Sequence, residues 1–174
     1  MPRSRYRILE VHHPHFMTAT IKNWLVLFTR PQTVAKSQRP CLIPGVSYND
    51  KENPALFGYV ILENHLHLVA ASPDLSAAMQ RFKSWTARRI INYLEETRAR
   101  RMLELLALLK RAHKTQTTYQ VWEEGSHPQA VMSEVAMCQK IDYIHHNPAA
   151  RGYVDCPEHW RYFRARGIIR GNRD

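Results

Sequence analysis

This chain of 174 residues has few cysteines, few acids and no long apolar run. Its three cysteines, Cys41, Cys138 and Cys156, are odd in number and widely spaced. That pattern excludes a disulfide framework and a CxxC metal site, so the thiols are read as reduced and structural. No apolar stretch approaches the ~20 residues that cross a bilayer, so no membrane association is expected. The basic start, Met1 to Arg7, lacks the apolar segment of a secretory signal, and the cytoplasm is the expected compartment. Internal repeats and low-complexity tracts are absent, which sets aside solenoids and biased-composition tails.

What is present reads as one soluble globular domain. Apolar residues make up 44% and charged residues 23%, and the length suffices for a real core. Twenty-five Lys and Arg face 15 Asp and Glu, a net charge of +10 with a pI near 9.9. The charge is concentrated. Between Arg81 and Lys114 there are ten basic residues against three acids, and Arg161, Arg164, Arg166, Arg170 and Arg173 follow near the end. Such clustering favours a polyanion, most often nucleic acid, over a merely solvated face.

The pattern predicts a strand over 15–21, rich in β-branched residues, and an apolar run from Trp24 to Phe28. Five Pro and Gly residues between 31 and 55 indicate a loop with one short helix at most. Phe57–Leu62 and His65–Ala70 read as two strands of a hairpin around Glu63 and Asn64. Ser72, Pro73 and Asp74 signal a helix start, and the helix extends to about Leu94 with Ala78, Phe82, Trp85, Arg89 and Tyr93 near one stripe. A leucine-rich helix follows from Arg98 to Ala112. Thr117–Trp122 is a short strand candidate. A last helix spans roughly Val131 to His146 and is expected to stop before Pro148. Strands, helices, strand, helix in that order suggest an α+β fold with a small antiparallel sheet.

The chemistry begins with His65 and His67. Two residues apart on a strand, they point the same way, while Leu66 and Leu68 point into a core. Two imidazoles side by side make half of a metal site. Tyr143 and Asn147 are four residues apart on the last helix and share a face. If that face meets the histidines, three functions assemble: two imidazoles and an amide oxygen for a divalent cation, and a phenol as nucleophile. His12, His13 and His15 lack a matching partner and read as a solvated arm. Tyr119, Phe82 and Trp85 read as core. His145 and His146 read as structural or nucleic-acid-facing.

Asn64-His65-Leu66-His67-Leu68 followed by Tyr143-Ile144-His145-His146-Asn147-Pro148 resembles the REP-associated tyrosine transposases, a branch of the single-tyrosine HUH transposases. The resemblance covers most of the chain, including the Trp24 to Phe28 segment, Phe82-Lys83, Trp122, His127-Pro128 and Gly152-Tyr153-Val154. It implies one HUH transposase-like domain over 1–174, with a basic helical insertion around 96–114 and a short C-terminal tail. It implies a ferredoxin-like antiparallel sheet with the HUH motif on a central strand and helices packed on one face. His65, His67 and Asn147 would bind Mg2+ or Mn2+. Tyr143 would attack a phosphodiester of single-stranded DNA near an imperfect palindromic hairpin, leaving a 5′-phosphotyrosine link. The basic helices, through Lys83, Arg88, Arg89, Arg98, Arg100, Arg101, Lys110 and Arg111, would hold the DNA, with the protein a monomer or homodimer. Two departures stand out: Glu63 replaces the usual proline, and Arg161-Tyr162-Phe163-Arg164 replaces a serine-rich motif. A hairpin-binding protein without turnover and a phosphodiesterase using water are the alternatives.

Overall fold

The computed structural model describes residues 13–28 and 55–165. Strand β1 (His15–Thr20) is followed by a short turn at Lys22–Trp24, and β2 (Ala55–Ile61) leads into β3 (His65–Ala71). Helices α1 (Leu75–Glu96) and α2 (Arg100–Leu108) come next. The chain then forms β4 (Gln129–Ala130), α3 (Glu134–Ala150) and β5 (Phe163–Ala165). The five strands lie in the order β4-β1-β3-β2-β5, every pairing antiparallel. The first four follow the ferredoxin-like order, and the expected α+β class holds. Cys41 and the loop between 31 and 54 lie outside the described residues, as do His12, Arg166, Arg170 and Arg173. No described helix is long and apolar enough to cross a membrane.

Alternation along the central strands builds two cores. Met17, Ala19 and Ile21 with Leu66, Leu68 and Ala70 face one side, where Leu75, Met79, Phe82, Ile90 and Leu106 cover them. Phe16, Val60, Leu62 and Val69 face the other, where Ile141 and Ile144 of α3 close the layer. Each Val, Leu, Ile, Phe or Met among them contributes on the order of 1.5–3 kcal/mol on burial, so both layers are held tightly. This corrects the expectation of helices on one face: α1 and α2 cover one side and α3 the other. Gly58 lets α3 lie close to β2, because a Cβ there would stand 2.7 Å from Ile141 Cδ1.

The helix starts obey the capping chemistry. Asp74 accepts from Ala77 N at 3.0 Å and Ser133 from Ala136 N at 3.1 Å. The buried stripe of α1, however, is Leu75, Ala78, Met79, Phe82, Thr86, Ile90 and Leu94. It is rotated from the expected one, so Trp85, Arg89 and Tyr93 are only half-buried. Thr86 is admitted to this stripe because its hydroxyl donates to Phe82 O at 2.7 Å and accepts from Trp122 Nε1 at 3.0 Å.

Three local expectations are revised. Residues 117–122 form no strand; Trp122 makes a single bridge to Ile21, and the Gln120 backbone N–H goes to Leu106 O at 3.2 Å instead of to a ladder. The leucine-rich helix ends at Leu108, and its terminal carbonyls at Leu105 and Ala107 are met by Leu109 N and Lys110 N. Helix α3 passes through Pro148 to Ala150. Proline there removes one donor and crowds the carbonyl four residues back, and the burial of Ile144, Asn147 and Pro148 offsets that cost. Cys138 and Cys156 are free but exposed, so they do not serve the core.

Replacing Thr86 by Val keeps the shape but strands the Trp122 N–H in the core. Urea unfolding should show a loss of about 1–3 kcal/mol. No loss would mean that this bond does not support the α1 core.

Candidate metal and nucleophile site

The antiparallel register places His67 opposite Thr18 on β1 and opposite Val60 on β2, with His65 opposite Thr20. Both imidazoles are buried in the middle of the sheet. Their ring centroids are 4.8 Å apart at 80°. Each ring is oriented through Nδ1. His65 Nδ1–H donates to Asn64 Oδ1 at 2.6 Å, and the Asn64 amide nitrogen donates in turn to Trp24 O at 3.4 Å. That pairing puts the His65 proton on Nδ1 and leaves Nε2 a lone pair. His67 Nδ1 lies 2.9 Å from Thr18 Oγ1, while its buried Nε2 has no hydrogen-bond partner. Donation from Nδ1 to Thr18 leaves a bare lone pair at Nε2, the arrangement of a metal-binding histidine with an oriented ring.

Helix α3 brings up the other groups. Its buried residues Ile141, Ile144 and Pro148 dock it on the sheet, and Asn147 is buried with them. Asn147 Oδ1 is also buried without a partner. One turn earlier, Tyr143 is 49% exposed, with its ring edge-on to His67 at 5.5 Å and to Phe16 at 5.8 Å. Phe16 stacks on His67 at 5.3 Å. The structure therefore brings Tyr143 against the histidine pair, with Asn147 buried one turn further along the same helix. A buried amide oxygen and a buried imidazole nitrogen, both unpartnered, are donors of the kind a cation takes. Among the described residues no cluster of three or more His, Cys, Asp or Glu could hold a metal. A centre here thus depends on Asn147 as the oxygen donor.

Electrostatics keep the imidazoles neutral. Burial, then the Arg151 charge, pushes His65 down to about 4, with Glu63 opposing. Burial, then His65, Arg151 and Lys140, pushes His67 down to about 3. Lys140 sits one turn before Tyr143, its Nζ 4.7 Å above the Phe16 ring and 2.9 Å from Gln129 Oε1. Thr18, Asn64, Lys140 and Arg151 were not singled out from the sequence. Thr18 could have been found from strand pairing; the other three carry no sequence signal beyond nearness to the motifs. Glu63 stands at the rim, where its hydrogen bond to Tyr153, after burial, raises that phenol. Glu63 Oε2 is buried without a partner.

The basic residues lie elsewhere. All eight singled out are on or just after α1 and α2, across the sheet from α3. Arg88, Arg98, Arg100 and Arg101 are exposed or nearly so. Lys83 is instead drawn inward, donating to Glu123 O and Gly125 O, and burial pushes it down to about 8. Lys110 bonds Thr117 O at 2.6 Å, Arg111 pairs with Glu123 at 3.3 Å, and Arg89 lies over Trp85 at 5.1 Å. A cleft of about 1040 Å3 opens on that side, between α1 and residues 114–128, away from the histidines. His15 is buried on β1 with Nδ1 2.9 Å from His13 O, so it is no solvated arm. His145 packs on Phe163 at 4.6 Å, and His146 bonds Asp142 O.

The depressed histidines set a pH dependence. Their ordinary value is 6.5, so between 6.5 and about 4 the unfolded chain binds more protons than the folded one. Stability is fully present above 6.5 and falls as the pH drops through that window. Urea midpoints of metal-free protein should decline accordingly, and less steeply in His67→Gln. A midpoint that is flat across the window would contradict the burial assigned to these rings.

No protein-family model matches the chain, and no curated protein does. A solved structure of a REP-associated tyrosine transposase bound to a REP hairpin is similar, with a TM-score of 0.57 at 15% identity. The match covers 94% of this chain and 82% of that one. The likeness extends over nearly the whole chain: the fold of this chain is that of the REP-associated tyrosine transposase.

Proposed function

We propose that this protein is a metal-dependent nuclease and strand transferase acting on single-stranded DNA beside imperfect palindromic hairpins. The observation that carries the reading is the half-exposed Tyr143 set edge-on against His67 of the buried histidine pair, on the helix that also buries the unpartnered Asn147 oxygen. The fold likeness to a transposase bound to a REP hairpin supports the choice of DNA hairpin. His65 Nε2, His67 Nε2 and Asn147 Oδ1 would hold Mg2+ or Mn2+, which would supply Lewis acidity toward a phosphate oxygen. Two nitrogens and one oxygen are a softer set than Mg2+ prefers, so Mn2+ should bind more tightly.

Tyr143 supplies the nucleophile. Its phenolic oxygen bonds to phosphorus as the P–O3′ bond breaks. The phenol gives up one proton and the departing 3′-oxygen gains one. The product is a 5′-phosphotyrosine and a free 3′-OH, and the ester retains the energy for rejoining. Thr18 and Asn64 keep the imidazoles oriented, and Phe16 braces both His67 and Tyr143. Lys140 and Arg151 place positive charge near the histidines, where a DNA strand would lie. The exposed arginines of α1 and α2 would hold duplex DNA at a distance from the cut.

A hairpin oligonucleotide with single-stranded arms and a 3′-end label, incubated with Mn2+, should give a labelled protein band on a denaturing gel. Tyr143→Phe should remove the band. Binding with no adduct would mark a hairpin-binding protein instead, and cleavage that survives Tyr143→Phe would assign the attack to water. Mn2+ should also raise the melting temperature of the wild type, and neither His67→Ala nor Asn147→Ala should respond.

A further inference from the structure

Among the described residues, the exposed aromatics are Trp24, Tyr143 and Tyr153, and two of them touch the histidine pair. Tyr143 meets His67. Trp24 meets His65 with ring centroids 5.4 Å apart at 72°, yet 56% of the residue remains accessible. A tryptophan kept for packing alone would be buried, because its large apolar surface is what burial rewards. Here more than half of it is held out beside the site.

The backbone is bent to hold it there. Asn23 and Trp24 are consecutive residues with φ of 53° and 57°, the left-handed region that a bulky side chain avoids. Such a conformation persists only where surroundings enforce it, and it is concentrated at functional positions. The enforcing contacts are visible. Glu123 Oε1 accepts from Asn23 N at 3.1 Å and from Lys22 Nζ at 2.8 Å. Trp24 N donates to Ile21 O at 3.0 Å. Asn64 donates to Trp24 O while accepting from His65 Nδ1. A single asparagine therefore ties the tryptophan turn to a histidine of the site.

We infer that Trp24 is a stacking platform for one unpaired nucleobase of the DNA strand next to the phosphate attacked by Tyr143. Stacking suits the geometry, since every base offers a π face and an exposed indole takes it without sequence preference. The two aromatics border the two histidines, so a strand with its phosphate at the pair has a neighbouring base within reach of the indole. This inference rests on the proposed single-stranded DNA activity. It adds a base-holding subsite that neither the metal ligands nor the nucleophile provides.

The test uses the full chain carrying Tyr143→Phe, so that binding is read without cleavage. Hairpins with single-stranded arms carry one abasic nucleotide, walked along each arm. Trp24→Ala should weaken binding of the unmodified oligonucleotide about ten-fold, and Trp24→Phe much less. At one abasic position the protein with Trp24 should lose about the same factor, and Trp24→Ala should lose nothing more. DNA should quench tryptophan fluorescence, with most of that change gone in Trp24→Phe. The Mn2+-induced rise in melting temperature should survive both substitutions. Equal binding by Trp24→Ala overturns the inference, as does a loss that stays undiminished at every abasic position. If protein with Trp24 intact binds no single-stranded DNA, the parent reading falls and this one with it. If it binds while Trp24 proves indifferent, only the platform is lost.

Discussion

The register of β3 between β1 and β2 is the constraint on which the site depends. Leu66, Leu68 and Ala70 are committed to the core under α1, which turns His65, His67 and Val69 to the opposite face. A slip of one residue would exchange the two sets, setting imidazoles among the apolar side chains under α1 and leucines on the face that α3 covers. Both layers would have to repack. The position of the histidines is therefore secured by residues that take no part in chemistry. The same register aligns Thr18 with His67 and so orients the ring.

Helix α3 completes the site by a similar division of labour. Ile141 and Ile144 fix its depth and rotation on the sheet, with Gly58 leaving room beneath Ile141. Asn147 then lies on the buried side while Tyr143, one turn back, sits at the margin where solvent reaches it. Burial serves chemistry on both elements. It strips protons from the histidines, and it leaves polar atoms unpaired that a cation would satisfy. A purely structural layer would have used apolar residues at these positions, because unpaired buried polar groups weaken a fold.

Charge is apportioned with the sheet as divider. One face carries the basic residues of α1, α2 and the segment after them, where Lys83 and Lys110 are tied to carbonyls and Arg111 to Glu123 and Glu124. On the other, among the described residues, Lys140 and Arg151 are the positive charges that act on the imidazoles. A count of basic residues along the chain suggested one DNA-binding surface. In space, half of the candidates already have internal partners.

By itself the sequence determined the strands around the hairpin, the start of α1, the histidine pair with its shared face, and the Tyr143 and Asn147 spacing. These are local properties, set by alternation, capping and helical period. Tertiary structure alone decided which side of the sheet each helix covers and that α3 continues through Pro148. It also decided that Lys83 turns inward, that 117–122 does not pair as a strand, and that Trp24 is held in a left-handed turn beside His65. Each of these depends on partners distant in the chain. Periodicity fixes which residues share a face, but only packing fixes what that face meets.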